Sequence, residues 1–132
     1  MSEMTTQELA VDLIACFEGC RLTAYQDTGG VWTVGFGETG PDVTEGVTRT
    51  YDEAWAWLQD RVASLLPLVA DLPVPHAAAL ASFGYNCGRG ALLNVIAGHD
   101  TIANPIHYTD RHGNVLTGLR SRRQLEEALM LL

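Results

Sequence analysis

The sequence predicts an α+β fold on three observations. Apolar residues recur at helical spacing near the N-terminus, the same spacing returns from about residue 51 onward, and a glycine-rich stretch of alternating β-branched and aromatic residues lies between them. A helix, a small hairpin lobe and a helical lobe should therefore follow one another along the chain.

The elements can be justified in order. Thr5-Thr6-Gln7-Glu8 fits a capping box, so a helix should begin there, with Leu9, Ala10, Leu13, Ile14 and Phe17 as its apolar stripe. Gly19 ends it, which puts Glu18 in the last turn. From Leu22 the pattern becomes Leu-Thr-Ala-Tyr-Gln-Asp, then the turn Thr28-Gly29-Gly30, then Val-Trp-Thr-Val, a β-hairpin. Gly35, Gly37, Gly40, Pro41 and Gly46 make the continuation rich in turns, with room for one more short strand before residue 48.

Thr50-Tyr51-Asp52-Glu53 repeats the capping signature and opens a helix over about 51 to 66, which Pro67 bends or closes. Pro75 suits the start of another helix, whose Ala78, Leu80, Ala81, Phe83 and Gly84 are central core candidates. Residues 91 to 97 form a short apolar helix closed by Gly98, and residues 119 to 132 return to helix. Between them, residues 99 to 117 lack a steady period and read as a long loop, functional or poorly ordered, with a turn at Asp-Arg-His-Gly-Asn.

A chain of 132 residues with 47% hydrophobic content has the size and the apolar mass for one core. The expected organisation is a single domain over 1–132, with a β-rich lobe at about 18–50 and a helical lobe from 1–17 and 51–132.

Sixteen acidic residues against eight arginines and no lysine give a formal charge of −8, which argues against nucleic-acid or anionic-membrane partners. Most of the acids are expected on the solvated surface. No apolar run reaches the length of a membrane span, and the start MSEMTTQE lacks the basic and apolar regions of a secretory signal. Cytoplasmic synthesis without a signal peptide is the expectation. Cys16, Cys20 and Cys87 have neither zinc-knuckle spacing nor a histidine motif beside them, so no metal is expected and the thiols should fill core space.

The chemistry concentrates in CFEGCRLTAYQDTGGVWTVGFG, residues 16 to 37. Glu18 lies at the negative end of its helix, where the macrodipole disfavours a carboxylate and a purely structural choice would be Lys, Arg or Asn. That placement, beside Phe17, should raise its pKa and keep a proton available, as a general acid needs. Asp27, among turn hydroxyls and amides, should stay ionised. Carboxyl groups pushed apart in this way suit a glycoside hydrolase, with one protonating the leaving oxygen and the other activating water or attacking the sugar. Thr33 on the facing strand could hold the water through its hydroxyl. Each residue also has a plainer explanation: Asp27 is what a turn start looks like, and Thr33 has good strand propensity.

The spacing E-x8-D-x5-T, set in FEG-x-RL-x-AY-x-D and WT-x-G-x-G, resembles the phage-type lysozymes, the endolysin muramidases of glycoside hydrolase family 24. The resemblance continues through Asp42-Val43 and Gly46, through Thr50, Glu53-Ala54 and Leu58, through ALASFGYNCGRGA at 79 to 91, and through GLRSRRQLEEAL at 118 to 129. It implies a lysozyme-like fold and hydrolysis of the β-1,4 bond between N-acetylmuramic acid and N-acetylglucosamine in bacterial peptidoglycan, with inversion and no cofactor. It further implies Glu18 as general acid, Asp27 working with the water nucleophile, Thr33 holding that water, and Tyr85 and Asn86 as substrate-binding positions. The expected protein is a monomer that meets the wall once a membrane is breached.

Two features depart from the pattern. Position 38 is Glu where many relatives carry His, and the passage over residues 92 to 117 is shorter, which makes the far wall of the cleft shallower. A glycan-binding module without cleavage is the rival reading, and the retained Glu18, Asp27 and Thr33 argue against it. Arg120, Arg122 and Arg123 gather near the last helix and are expected to form a structural ion pair to the N-terminal region.

Overall fold

In the computed structural model, which describes residues 3–132, the first helix, α1 (Thr6–Glu18), starts at the predicted cap. Thr5 Oγ1 accepts a hydrogen bond from the Glu8 amide at 3.1 Å. Ala10, Val11 and Ile14 form its buried stripe, and Gly19, at φ 65°, ends it in a conformation that favours glycine. Glu18 is thus the last helical residue.

Strands β1 (Arg21–Gln26) and β2 (Trp32–Gly35) form the predicted antiparallel hairpin, with Tyr25 opposite Thr33 and Gln26 opposite Trp32. The further strand allowed for before residue 48 is reduced to isolated bridges, Thr23 with Thr48 and Val34 with Glu38. The glycines there turn the chain too often for a continuous ladder. Glu38 has a defined partner, since Arg49 Nη2 lies 3.0 Å from Glu38 Oε2 and Nε donates to Oε1 at 3.2 Å.

Helix α2 (Tyr51–Leu65) carries a complete capping box: the Glu53 amide donates to Thr50 Oγ1 at 3.1 Å, and the Thr50 amide donates to Glu53 Oε1 at 2.8 Å. Its buried face is Ala54, Leu58, Val62 and Leu65, and Pro67 falls in a 3₁₀ turn just beyond. Helix α3 (Val74–Cys87) runs through the centre, with every residue from Ala77 to Gly84 buried. A Cβ on Gly84 would come within 2.6 Å of Leu92 Cδ2, so the absent side chain lets α4 (Arg89–Ile96) lie close against α3. The last helix, α5 (Thr117–Met130), packs on the other flank of α3.

Residues 99–117 hold defined structure. Asp100 accepts from the Thr101 amide and Asn104 Nδ2, both at 2.8 Å, and its other oxygen meets His107 Nε2 at 2.8 Å. A 3₁₀ turn at Pro105–His107 and a bridge between Thr109 and Val115 complete the connection. One hub carboxylate and two tight turns thus supply the order that apolar periodicity did not reveal.

One expectation needs correction. Cys16 is exposed and Cys20 and Cys87 are only partly buried, because position 16 falls on the outer face of α1, away from Ala10 and Ile14. Glu126 is an exception among the mostly surface-placed acids, 1% exposed on α5 beside Arg123 at 1% and Arg122 at 3%. Among the described residues, no helix is long and apolar enough to cross a membrane.

Candidate active site

Glu18, Asp27, Thr33, Tyr85 and Asn86 line one cleft of about 300 Å³, together with Tyr25, Gly37 and Thr39. The end of α1, the hairpin and the end of α3 each supply part of its wall. All five residues singled out in the sequence therefore share one concave surface, although they lie up to 68 positions apart (Glu18 to Asn86).

Asp27 is held by its own turn. Its Oδ1 accepts from the Gly29 and Val31 amides, each at 2.9 Å, while its amide donates to the Val31 carbonyl at 2.9 Å. Oδ2 has no protein partner among the described residues and is the oxygen available to the cleft. Val31 also connects Asp27 to Thr33, because the same carbonyl accepts the Thr33 hydroxyl at 3.0 Å. With that proton committed, buried Thr33 can offer a cleft molecule only an acceptor lone pair.

Glu18 is gripped from the other side. Arg122 Nη1 donates to Glu18 Oε2 at 3.0 Å. The rest of the guanidinium is fixed by Ser82, with Nη2 on the carbonyl at 3.1 Å and Nε on the hydroxyl at 3.3 Å. Behind it, Ser82 Oγ donates to Glu126 Oε2 at 2.6 Å, and Arg123 Nε lies 2.7 Å from Glu126 Oε1. Burial pushes the Glu126 carboxyl up, against the pull of Arg123, Ser82 and Arg122. The apolar setting expected for Glu18 thus contains a cation.

The ion pair to the N-terminal region is Arg122 with Glu18. The other two arginines do not share it. Arg123 turns inward to Glu126, three residues along the same helix, and Arg120 stays exposed.

The backbone of Gly37 passes against Glu18: a Cβ there would sit 3.4 Å from Glu18 Oε1 and 3.7 Å from the Tyr85 hydroxyl. Those distances are ordinary contact, and it is the φ of 97° that makes the position favour glycine. Tyr85 donates its hydroxyl to the Phe36 carbonyl at 2.6 Å, tying α3 to the hairpin lobe. Its phenol is pushed well up, by burial first and by the Glu18 charge second.

Sequence reasoning missed Tyr25, Gly37 and Thr39 as cleft residues, and it expected an ion pair from the Arg120–Arg123 group to the N-terminal region without naming Glu18 as its partner. The repeated glycines of GFG pointed toward Gly37. The Arg122 contact spans 104 positions and leaves no local signal.

The phage lysozyme family profile matches residues 15–126. The chain belongs to that family. It is 35% identical over 134 aligned residues to the endolysin of Lactococcus phage c2, covering 93% of this chain and 58% of that protein. This chain therefore spans little more than half the length of that relative. It is 32% identical to the SAR-endolysin of Enterobacteria phage PA-2, covering 86% of this chain and 77% of that one. The muramidase domain of SpmX from Asticaccaulis excentricus has the same fold, with TM-score 0.75 and 28% identity over 98% of this chain and 99% of that one.

Proposed function

We propose that this member of the phage lysozyme family is a peptidoglycan hydrolase that cleaves the β-1,4 bond between N-acetylmuramic acid and N-acetylglucosamine. The observation that carries the proposal is the convergence of Glu18, Asp27 and Thr33 on one open cleft. Glu18 protonates the glycosidic oxygen and Asp27 takes a proton from the attacking water. Thr33, its hydroxyl already donating to the Val31 carbonyl, accepts a hydrogen bond from the water's other O–H and holds the water in place. Tyr85 and Asn86 bind the saccharide from the α3 side. No step calls for a cofactor, and the protein acts as a monomer.

The arrangement supports inversion: a water activated by Asp27 attacks the anomeric carbon from the face opposite the leaving oxygen that Glu18 protonates, and no carboxyl forms a bond to the sugar. An inverting pair keeps its carboxyl groups about 6.5–9.5 Å apart, with room for that water. Nuclear magnetic resonance of the anomeric proton in the first product decides the point, and a retained configuration removes the water mechanism.

The direct test is turbidity clearing of permeabilised bacteria by the wild type and by Glu18→Gln. The expected loss is about 10²–10⁴-fold from acid catalysis alone. Equal clearing by both proteins would take the acid role away from Glu18. Glycan binding without clearing by the wild type would favour a binding module.

A further inference from the structure

The cleft does not end at Tyr85. A second cavity of about 360 Å³ opens from it, sharing Gly37, Thr39 and Tyr85, and is walled beyond them by Trp57, Arg61 and Arg89. Trp57 meets Tyr85 edge to face with ring centroids 6.1 Å apart, and the Arg61 guanidinium lies over the Trp57 ring at 5.3 Å. A molecule lying along the Glu18 cleft would thus pass directly from Tyr85 onto an aromatic and cationic wall.

The two arginines of that wall stand outside the ion pairs of the described residues. Acids outnumber arginines sixteen to eight in this chain, yet neither Arg61 nor Arg89 has a carboxylate within ion-pair distance among the described residues. Helical neighbours supply none either. The residues three and four positions from Arg61 are Trp57, Leu58, Ser64 and Leu65, and those around Arg89 are Tyr85, Asn86, Leu92 and Leu93. Two like charges on one concave surface repel unless an anion comes between them.

We infer that this cavity is an oxyanion subsite of the cleft, in which Arg61 and Arg89 bind a carboxylate carried by the glycan strand, with Trp57 packing against the substituent. The inference rests on the proposed peptidoglycan substrate, whose sugars are neutral in the backbone and whose peptide stems carry free carboxylates. A phosphate on a wall polymer has the same chemistry, but stems recur on every muramic acid along the strand and so fall within reach of any bound chain. Guanidinium suits either oxyanion through paired N–H donors.

The experiment measures dissociation constants by calorimetry on the Glu18→Gln background, so that cleavage plays no part. Three soluble ligands are compared: stem-bearing glycan chains, the same chains with the stem carboxylates converted to primary amides, and the amidated chains carrying a polyol phosphate. The expected result is a preference for the free-carboxylate over the amidated chains that falls about tenfold when R61Q and R89Q are combined, the scale of a lost charge-assisted hydrogen bond. R111Q, the same charge change in the remote 110–114 turn, should leave the preference in place.

No preference, a preference for the phosphate-bearing chain alone, or an equal fall in R111Q would each overturn the carboxylate subsite. If the preference holds while the wild type clears no cells, the subsite stands and the hydrolase proposal falls. If cells clear and the preference is absent, the reverse is true.

Discussion

The turn at residues 27–31 and the turn at residues 110–114 are built alike. In both, an aspartate Oδ1 accepts from the amides two and four residues on, at 2.9 and 2.9 Å for Asp27 and at 2.8 and 2.9 Å for Asp110. In both, the aspartate amide donates to the carbonyl four residues on, and a glycine at φ 81° donates back to the aspartate carbonyl. They differ at the remaining oxygen. Asp110 Oδ2 accepts from Asn114 Nδ2 at 3.1 Å, whereas position 31 is valine and Asp27 lines the cleft with Glu18 and Thr33. The turn thus accounts for an aspartate at each place, and its surroundings alone set apart the one proposed for catalysis.

The largest effect should appear when the two carboxylates are neutralised in parallel. Asp27→Asn keeps an Oδ1 for both amides, so it should fold normally yet clear cells about 10²–10⁴-fold more slowly, while Asp110→Asn clears at the wild-type rate. Initial rates together with thermal melts check both halves. An equal loss in the two variants would dissolve the distinction.

A middle-sized effect tests the shared backbone. Nothing lies within 4 Å of a Cβ built on Gly30 or Gly113, so alanine at either costs only the positive φ, about 1–2 kcal/mol. Urea unfolding should give values within about 0.5 kcal/mol of each other, as expected for the same strain in two places. A much larger cost at Gly30 would mean that the hairpin turn is held more tightly than its twin.

The smallest effect is in pH. The Asn114 backbone and side-chain bonds, with that from the His112 amide, hold the Asp110 carboxyl below the usual aspartate range. A lowered folded value adds stability above the unfolded pKa of about 3.9 and loses it as pH falls through the folded value. The melting-temperature gap between wild type and Asp110→Asn should therefore be present at pH 5 and close on further acidification. A gap that widens in acid would reverse the sign of this contribution.

Both turns were legible in the sequence, because Asp-x-x-Gly specifies them locally. The two helix starts at Thr5 and Thr50 and the hairpin were legible for the same reason: each depends on neighbours within four or five positions. The five site residues were placed by family resemblance, and the structure brings them to one cleft. What stayed hidden are the partners and places of charged side chains: Glu18 as the partner of Arg122, Glu126 as the partner of Arg123, and the arginines beyond Tyr85. Charged groups follow no apolar period, and their partners depend on which helices meet in space. The Asp100 hub was missed likewise, since its three donors belong to a stretch with no repeating pattern.

The bond from Arg122 to Glu18 joins positions 104 apart, one in the first helix and one in the last. During translation the N-terminal helix leaves the ribosome long before its anchor exists. A nascent chain stalled short of α5 would have its glutamate untethered, so the finished cleft is assembled only once α5 has emerged.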